Sequence, residues 1–275
     1  MTAPLDPEAQ RALTSLLAFW ADAGVSTSYE DAAVDRMAEG RRRLQAPRPT
    51  KPAVVAVQPS RQPPIAPGLS PDLAQSVGDA QALAASADTL EALEAAIAAF
   101  DGCPLKFSGA SRAVFSRGTA GAPVMIIGEG PGAEEDARGQ PFVGRAGKLL
   151  DRMINAAGLD GRVFITNTVF WRPPGNRTPS PQEQAACAPF LERAIVLAKP
   201  QVLLLVGAAS AKSVLKRSEG ILSLRGQWSE WRAEHTDLAL PALPTLHPAF
   251  LLRQPQAKKK AWMDLLSLTE RLASL

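Results

Sequence analysis

The chain has 275 residues, 46% of them hydrophobic, with a formal net charge of +3, two cysteines and two histidines. That length buries one sizeable α/β core with an appendage, or two small cores. It excludes a disulfide framework and a zinc site built on CxxC or HExxH. It also excludes a membrane helix, since the longest apolar run, near Val202 to Val206, is far short of the ~18 residues a span needs. With so small a net charge, affinity for nucleic acid has to come from where the cations sit. No basic start followed by an apolar stretch opens the chain, and cysteines are few, so a cytoplasmic protein without a secretory signal is expected.

In chain order, residues 7–24 carry Leu13, Leu16, Leu17 and Trp20 at helical spacing. Tyr29 to Leu44 reads as a second helix, ending in Arg41-Arg42-Arg43. That run is a solvated helix end or a non-specific DNA attachment. Residues 1–45 thus read as a helical N-terminal extension. Ala46 to Pro71 contains eight prolines and no acidic residue. It cannot sustain helix or sheet ladders and reads as a disordered linker.

A catalytic domain is expected over 72–275. A helix at Thr89–Phe100 precedes four apolar β-type segments, Pro123–Ile127, Arg162–Thr168, Gln201–Val206 and Leu240–Thr245. Helical stretches at Gly144–Ala157, Pro181–Ala198 and Ala208–Lys216 alternate with them, and a last helix runs from Lys258 to Ala273. Apolar strands alternating with helices predict a three-layer α/β/α sandwich around a four-stranded, mostly parallel sheet. Ligands of such folds bind beyond the carboxyl ends of the strands.

Three loops lie there. The first is Gly128-Glu129-Gly130-Pro131-Gly132-Ala133-Glu134-Glu135-Asp136. Its glycines let backbone approach a ligand, and Glu129 puts a carboxylate at the strand exit. It also matches the dinucleotide pattern GxGxxA. Against a nucleotide stand Pro131, which lacks an amide, and three acids that repel phosphate. Gly139-Gln140-Pro141-Phe142-Val143-Gly144-Arg145-Ala146-Gly147 follows, with Phe142 as core packing or a stacking platform. The second loop starts at Asn167, whose amide suits the edge of a base or caps a turn, and continues through Arg172-Pro173-Pro174-Gly175-Asn176-Arg177. The third is Leu246-His247-Pro248-Ala249-Phe250-Leu251-Leu252-Arg253, with Lys258-Lys259-Lys260 close behind. Apolar residues next to cations suit an opened DNA duplex.

Together the stretches GEGPGAEED, GQPFVGRAG, TNTVFWRPPGNRTP and LHPAFLLR resemble the uracil-DNA glycosylase superfamily, most closely its family 4, over roughly Asp101 to Leu268. The resemblance implies a monomeric DNA repair glycosylase that flips uracil out of single- or double-stranded DNA and leaves an abasic site. It implies Glu129 and His247 as catalytic residues, and Gly130, Phe142 and Asn167 as the uracil site. It implies DNA contacts from Arg172, Pro248, Leu251, Leu252, Arg253 and Lys258. A non-catalytic binder of uracil or abasic DNA is the alternative. Family 4 also implies a four-cysteine iron–sulfur cluster. Here Phe100 and Cys103 stand where its first CxxC pair is, and Trp171 stands where its third cysteine precedes RPPGNR. Cys187 matches the fourth. With only Cys103 and Cys187 left, the cluster is expected to be lost and no cofactor held. A superfamily variant trapped covalently on DNA carries a histidine-bearing insertion before an RG-x-W stretch. The corresponding segment here, Leu215 to Trp228, has no histidine.

Overall fold

The four apolar segments form strands side by side, each buried on both faces. The computed structural model describes residues 71–275, with Asp6 and Gln10. Apart from Gln10, the expected helix at 7–24 lies outside the described residues, as do the one at 29–44 and nearly all of the 46–71 linker. Residues 71–275 belong to one unit, Ala66–Leu275.

The elements are α1 (Pro71–Ser86), α2 (Leu90–Ala99), β1 (Arg117–Gly118), β2 (Val124–Gly128), α3 (Ala133–Arg138), α4 (Arg145–Ala156), β3 (Val163–Asn167), α5 (Pro181–Ala198), β4 (Val202–Val206), α6 (Ala208–Leu215), α7 (Ile221–Leu224), β5 (Ser229–Arg232), β6 (Ala239–Thr245), α8 (Pro248–Arg253) and α9 (Lys258–Ala273). The sheet order is β1-β3-β2-β4-β6-β5. β3, β2, β4 and β6 run parallel. Six strands stand where four were expected, because β1 and β5 add antiparallel edges. β1 has two residues, too few for a period. β5, Ser-Glu-Trp-Arg, buries only Trp231.

Side-chain alternation explains the apolar runs. Met125, Ile127, Leu203 and Leu205 enter one core with Leu93, Ile97, Phe190 and Ala194. Val124, Ile126, Leu204 and Val206 enter the other with Leu150, Ile154, Leu265 and Leu268. Helices therefore cover both faces, as a parallel sheet requires. Local capping sets several helix ends. The Thr89 hydroxyl accepts from Ala92 N at 3.1 Å and starts α2. Ser180 and Glu183 form a reciprocal capping box, with Pro181 at the first helical position of α5. β2 connects toward β3 on one side while β4 connects toward β6 on the other. The order reverses beside β2, which opens a crevice at the strands' carboxyl ends.

Candidate active site

That crevice is a cleft of about 540 Å³ bordered by Glu129, Gly130, Phe142, Arg177, His247 and Arg253. Gly128 ends β2 opposite Asn167, which ends β3. Thr168 ties the exits together. Its N–H donates to Gly128 O at 3.0 Å, and its hydroxyl donates to Glu129 O at 2.6 Å.

Asn167 is buried, and its Oδ1 accepts no hydrogen bond. Leaving such an acceptor unmatched costs about 1–3 kcal/mol. A Cβ on Gly128 would lie 2.5 Å from Asn167 Oδ1 and 2.5 Å from two ring carbons of Phe142. Glycine therefore lets both side chains pack against the end of β2; Phe142 lines the cleft, while Asn167 lies behind it and is not part of the lining. Phe142 is itself buried, with φ +56°, and its ring lies 5.7 Å from the His247 ring at an interplanar angle of 32°.

His247 caps α8. Its Nδ1 accepts from Ala249 N at 3.1 Å, so in the neutral ring the proton sits on Nε2. Burial, then the nearby Arg253 charge, lowers its pKa to about 4. The imidazole is thus neutral at physiological pH and offers one N–H donor. Gly207, with φ +96°, makes room for it, since a Cβ there would sit 3.1 Å from His247 Cβ.

Two of the three acids after Gly132, Glu135 and Asp136, accept from backbone amides. Glu135 Oε2 accepts from Gly132 N at 3.1 Å, while Oε1 accepts from Val143 N and Gly144 N at 3.0 and 2.9 Å. Buried Asp136 accepts from Ser111 N at 2.8 Å. The amide at the start of α3 that a pyrophosphate would use is therefore occupied, which counts against a dinucleotide.

Two expected DNA contacts are corrected. Leu251 is 1% exposed and packs with Leu246 and Ala261, and Pro248 is the buried first residue of α8. The packing of α8 turns Leu251 inward and leaves its neighbour Leu252 exposed. Leu252, Arg253 and Lys258 are exposed, and half-buried Phe250 borders the cleft. Arg172 is half-buried and does not border the cleft. Its Nε donates to Asn176 Oδ1 at 2.7 Å, bracing the second loop.

Sequence reasoning missed two bracing groups. Glu183 of α5 takes a two-pronged contact from Arg177 at 2.6 and 2.8 Å, which holds its carboxyl below the usual range. Buried Asp264 of α9 accepts from Thr245 Oγ1 at 2.7 Å and from Arg225 Nε at 3.1 Å, while burial raises its pKa. This pins the end of β6, two residues before His247, to α9. The signal was the Arg225-Gly226-Gln227-Trp228 stretch. Gly226 has φ +73°, and a Cβ on it would come 2.8 Å from Asp264 Oδ1.

The model of the Uracil DNA glycosylase superfamily matches residues 115–266, more than half the chain. The chain belongs to that superfamily. It is 39% identical over 182 residues to a type-4 uracil-DNA glycosylase of Pyrobaculum aerophilum, covering 64% of this chain and 91% of the relative. Proteins of the same name from Saccharolobus solfataricus and Thermotoga maritima are 40% and 39% identical. They cover 59% and 55% of this chain and 77% of each relative. A DNA polymerase of Bacillus phage SP01 is 29% identical over 161 residues, only 16% of its own length.

The four-cysteine cluster of family 4 does not fit the residues present. Cys103 and Cys187 lie with their sulfurs 3.8 Å apart, fully buried, and burial pushes the Cys187 thiol up. Phe100, Trp171 and Phe190 belong to the same buried core cluster as the two cysteines. The Phe100 ring lies 6.5 Å from Trp171 and 5.1 Å from Phe190. Neither Phe nor Trp ligates iron.

Proposed function

We propose that this chain hydrolyses the N-glycosidic bond of deoxyuridine in DNA, releasing uracil and leaving an abasic site. It acts as a monomer, on single- or double-stranded DNA, and holds no iron–sulfur cluster. The observation that carries the reading is the unpartnered Oδ1 of buried Asn167 beside the Phe142 ring. Oδ1 accepts uracil N3–H, and the side-chain N–H donates to O4. Cytosine presents an acceptor and a donor in those places, so both contacts reverse sign. Phe142 stacks on the base, with the Gly130 backbone beside it. The opened duplex is met by Leu252 and Phe250, and by Arg253 and Lys258 at its phosphates, while Arg172 braces the second loop through Asn176.

The chemistry follows from charge. As the C1′–N1 bond breaks, its electron pair moves onto N1 and the O2 carbonyl. The neutral His247 ring donates Nε2–H toward that oxygen, where charge grows most in the transition state. Glu129 faces the sugar from the cleft wall. It holds the attacking water, takes its proton as the C1′–O bond forms, and steadies the cationic sugar.

The test is incubation with an oligonucleotide carrying one deoxyuridine, followed by alkaline cleavage of abasic sites. A strand break at the uracil position supports the reading. A stable complex without a break supports a non-catalytic binder, and neither outcome on uracil DNA removes both.

A further inference from the structure

The aromatic platform sits on a strained residue. Phe142 has φ +56°, a left-handed conformation unfavourable for any side chain with a Cβ. Such a residue persists only where its surroundings over-determine it. Two constraints are local. Glu135 accepts the next two amides, Val143 N and Gly144 N. Gly147 lets α4 approach so closely that a Cβ there would fall 1.7 Å from Phe142 O.

The third constraint comes from across the sheet. Arg117, on the short edge strand β1, donates from Nε to Pro141 O at 2.7 Å and from Nη2 to Phe142 O at 3.1 Å. Those carbonyls belong to the two peptide planes that flank the Phe142 Cα. A rigid guanidinium holding both planes sets φ and ψ of the residue between them. The same Nη2 donates to Asp151 Oδ1 of α4 at 2.6 Å, which fixes the guanidinium in turn. Lysine, a point charge on a flexible stem, lacks this fork.

We propose that Arg117 is a positioning residue for base recognition: it acts through Phe142, holding the ring at the angle at which a flipped base stacks, and touches no substrate. The inference rests on the reading of Phe142 as the uracil platform. It also gives the two-residue strand a purpose, since β1 delivers Arg117 to the loop.

The test combines activity with a signal that does not depend on it. Arg117→Ala, Arg117→Lys, Phe142→Ala and the Arg117→Ala/Phe142→Ala double variant are compared in single-turnover excision. The Phe142 13C shifts are followed by selective phenylalanine labelling. Arg117→Ala should lose roughly tenfold in excision, the size of one charge-assisted hydrogen bond, with Arg117→Lys recovering part of it. In the Phe142→Ala background, Arg117→Ala should change the rate less than about twofold, because coupled residues are not additive. The Phe142 Cα and Cβ shifts should leave the left-handed range in Arg117→Ala and stay nearer it in Arg117→Lys. Unchanged shifts, or a full tenfold loss in the double variant, would overturn the proposal. If the parent protein excises no uracil yet the shifts move as described, the uracil reading fails and the positioning role stands. Should Arg117→Ala not fold, Arg117→Lys and Asp151→Asn carry the same shift test.

Discussion

Replacing His247 separates catalysis from folding only if the helix cap is preserved. Its Nδ1 accepts from Ala249 N, so His247→Ala removes a cap worth about 0.5–2 kcal/mol along with the proposed catalytic donor. Asparagine caps helices well but does not present the imidazole N–H to the cleft. His247→Asn should therefore melt close to the parent, yet lose about 10²–10³ in rate, the usual size of one preorganised donor to a developing anion. The assay is single-turnover excision at pH 7.5, with DNA binding measured in parallel. Binding should change little, since the contact strengthens only as charge develops. The pH dependence adds a second check. With a folded pKa of about 4, His247 stays neutral from pH 8 to about 5, and the parent rate should show no step near 6.5. In the unfolded chain the ring takes up its proton near pH 6.5. The folded state binds fewer protons between about 6.5 and 4, so His247 makes stability fall as pH falls through that window. His247→Asn removes that slope. A parent rate stepping down with a midpoint near 6.5, or His247→Asn cutting at the parent rate, would refute the neutral-donor assignment.

Asn167→Asp should lower uracil excision by ~10⁴ or more, since a buried site with an unmatched polar pair rejects its ligand strongly. An unchanged rate would remove Asn167 from base reading. Purified protein should contain no iron by elemental analysis and show no visible absorption band, whereas about four irons per chain would mean a cluster held without four thiolates. Deleting residues 1–70 should leave excision largely intact and the remainder folded. A weaker salt dependence of DNA binding in that deletion would assign a phosphate role to Arg41–Arg43.

Much of the architecture was legible because strong local signals coincide with it. Pro181–Ala198 was read with its observed bounds, because Ser180, Pro181 and Glu183 announce a helix start. The parallel strands were visible as apolar runs buried on both faces. α1 was missed because its Ala-rich stretch has little contrast between faces, and it is fixed by packing against α5. That Glu129, Phe142 and His247 meet at one cleft was legible because sheet topology puts the strand exits together. Leu251 was misplaced because a run of apolar residues does not say which one the helix turns inward. The Asp264 brace joins residues 19 and 39 positions apart, and the Arg117 clamp reaches 24 and 25 residues along the chain. The clamp has no local pattern to betray it, and the brace shows only at one end, in the Arg225-Gly226-Gln227-Trp228 stretch. Nor does a sequence reveal that Phe142 has positive φ.

The most direct test of the account is the release of free uracil from excess uracil-containing oligonucleotide, quantified over time by mass spectrometry with parent and Glu129→Gln. The parent should release many molecules of uracil per protein chain and no cytosine from a matched deoxycytidine oligonucleotide. Glu129→Gln should bind the DNA but release uracil far more slowly. Tight binding by the parent with no uracil released would contradict it and make the protein a reader of uracil or abasic DNA.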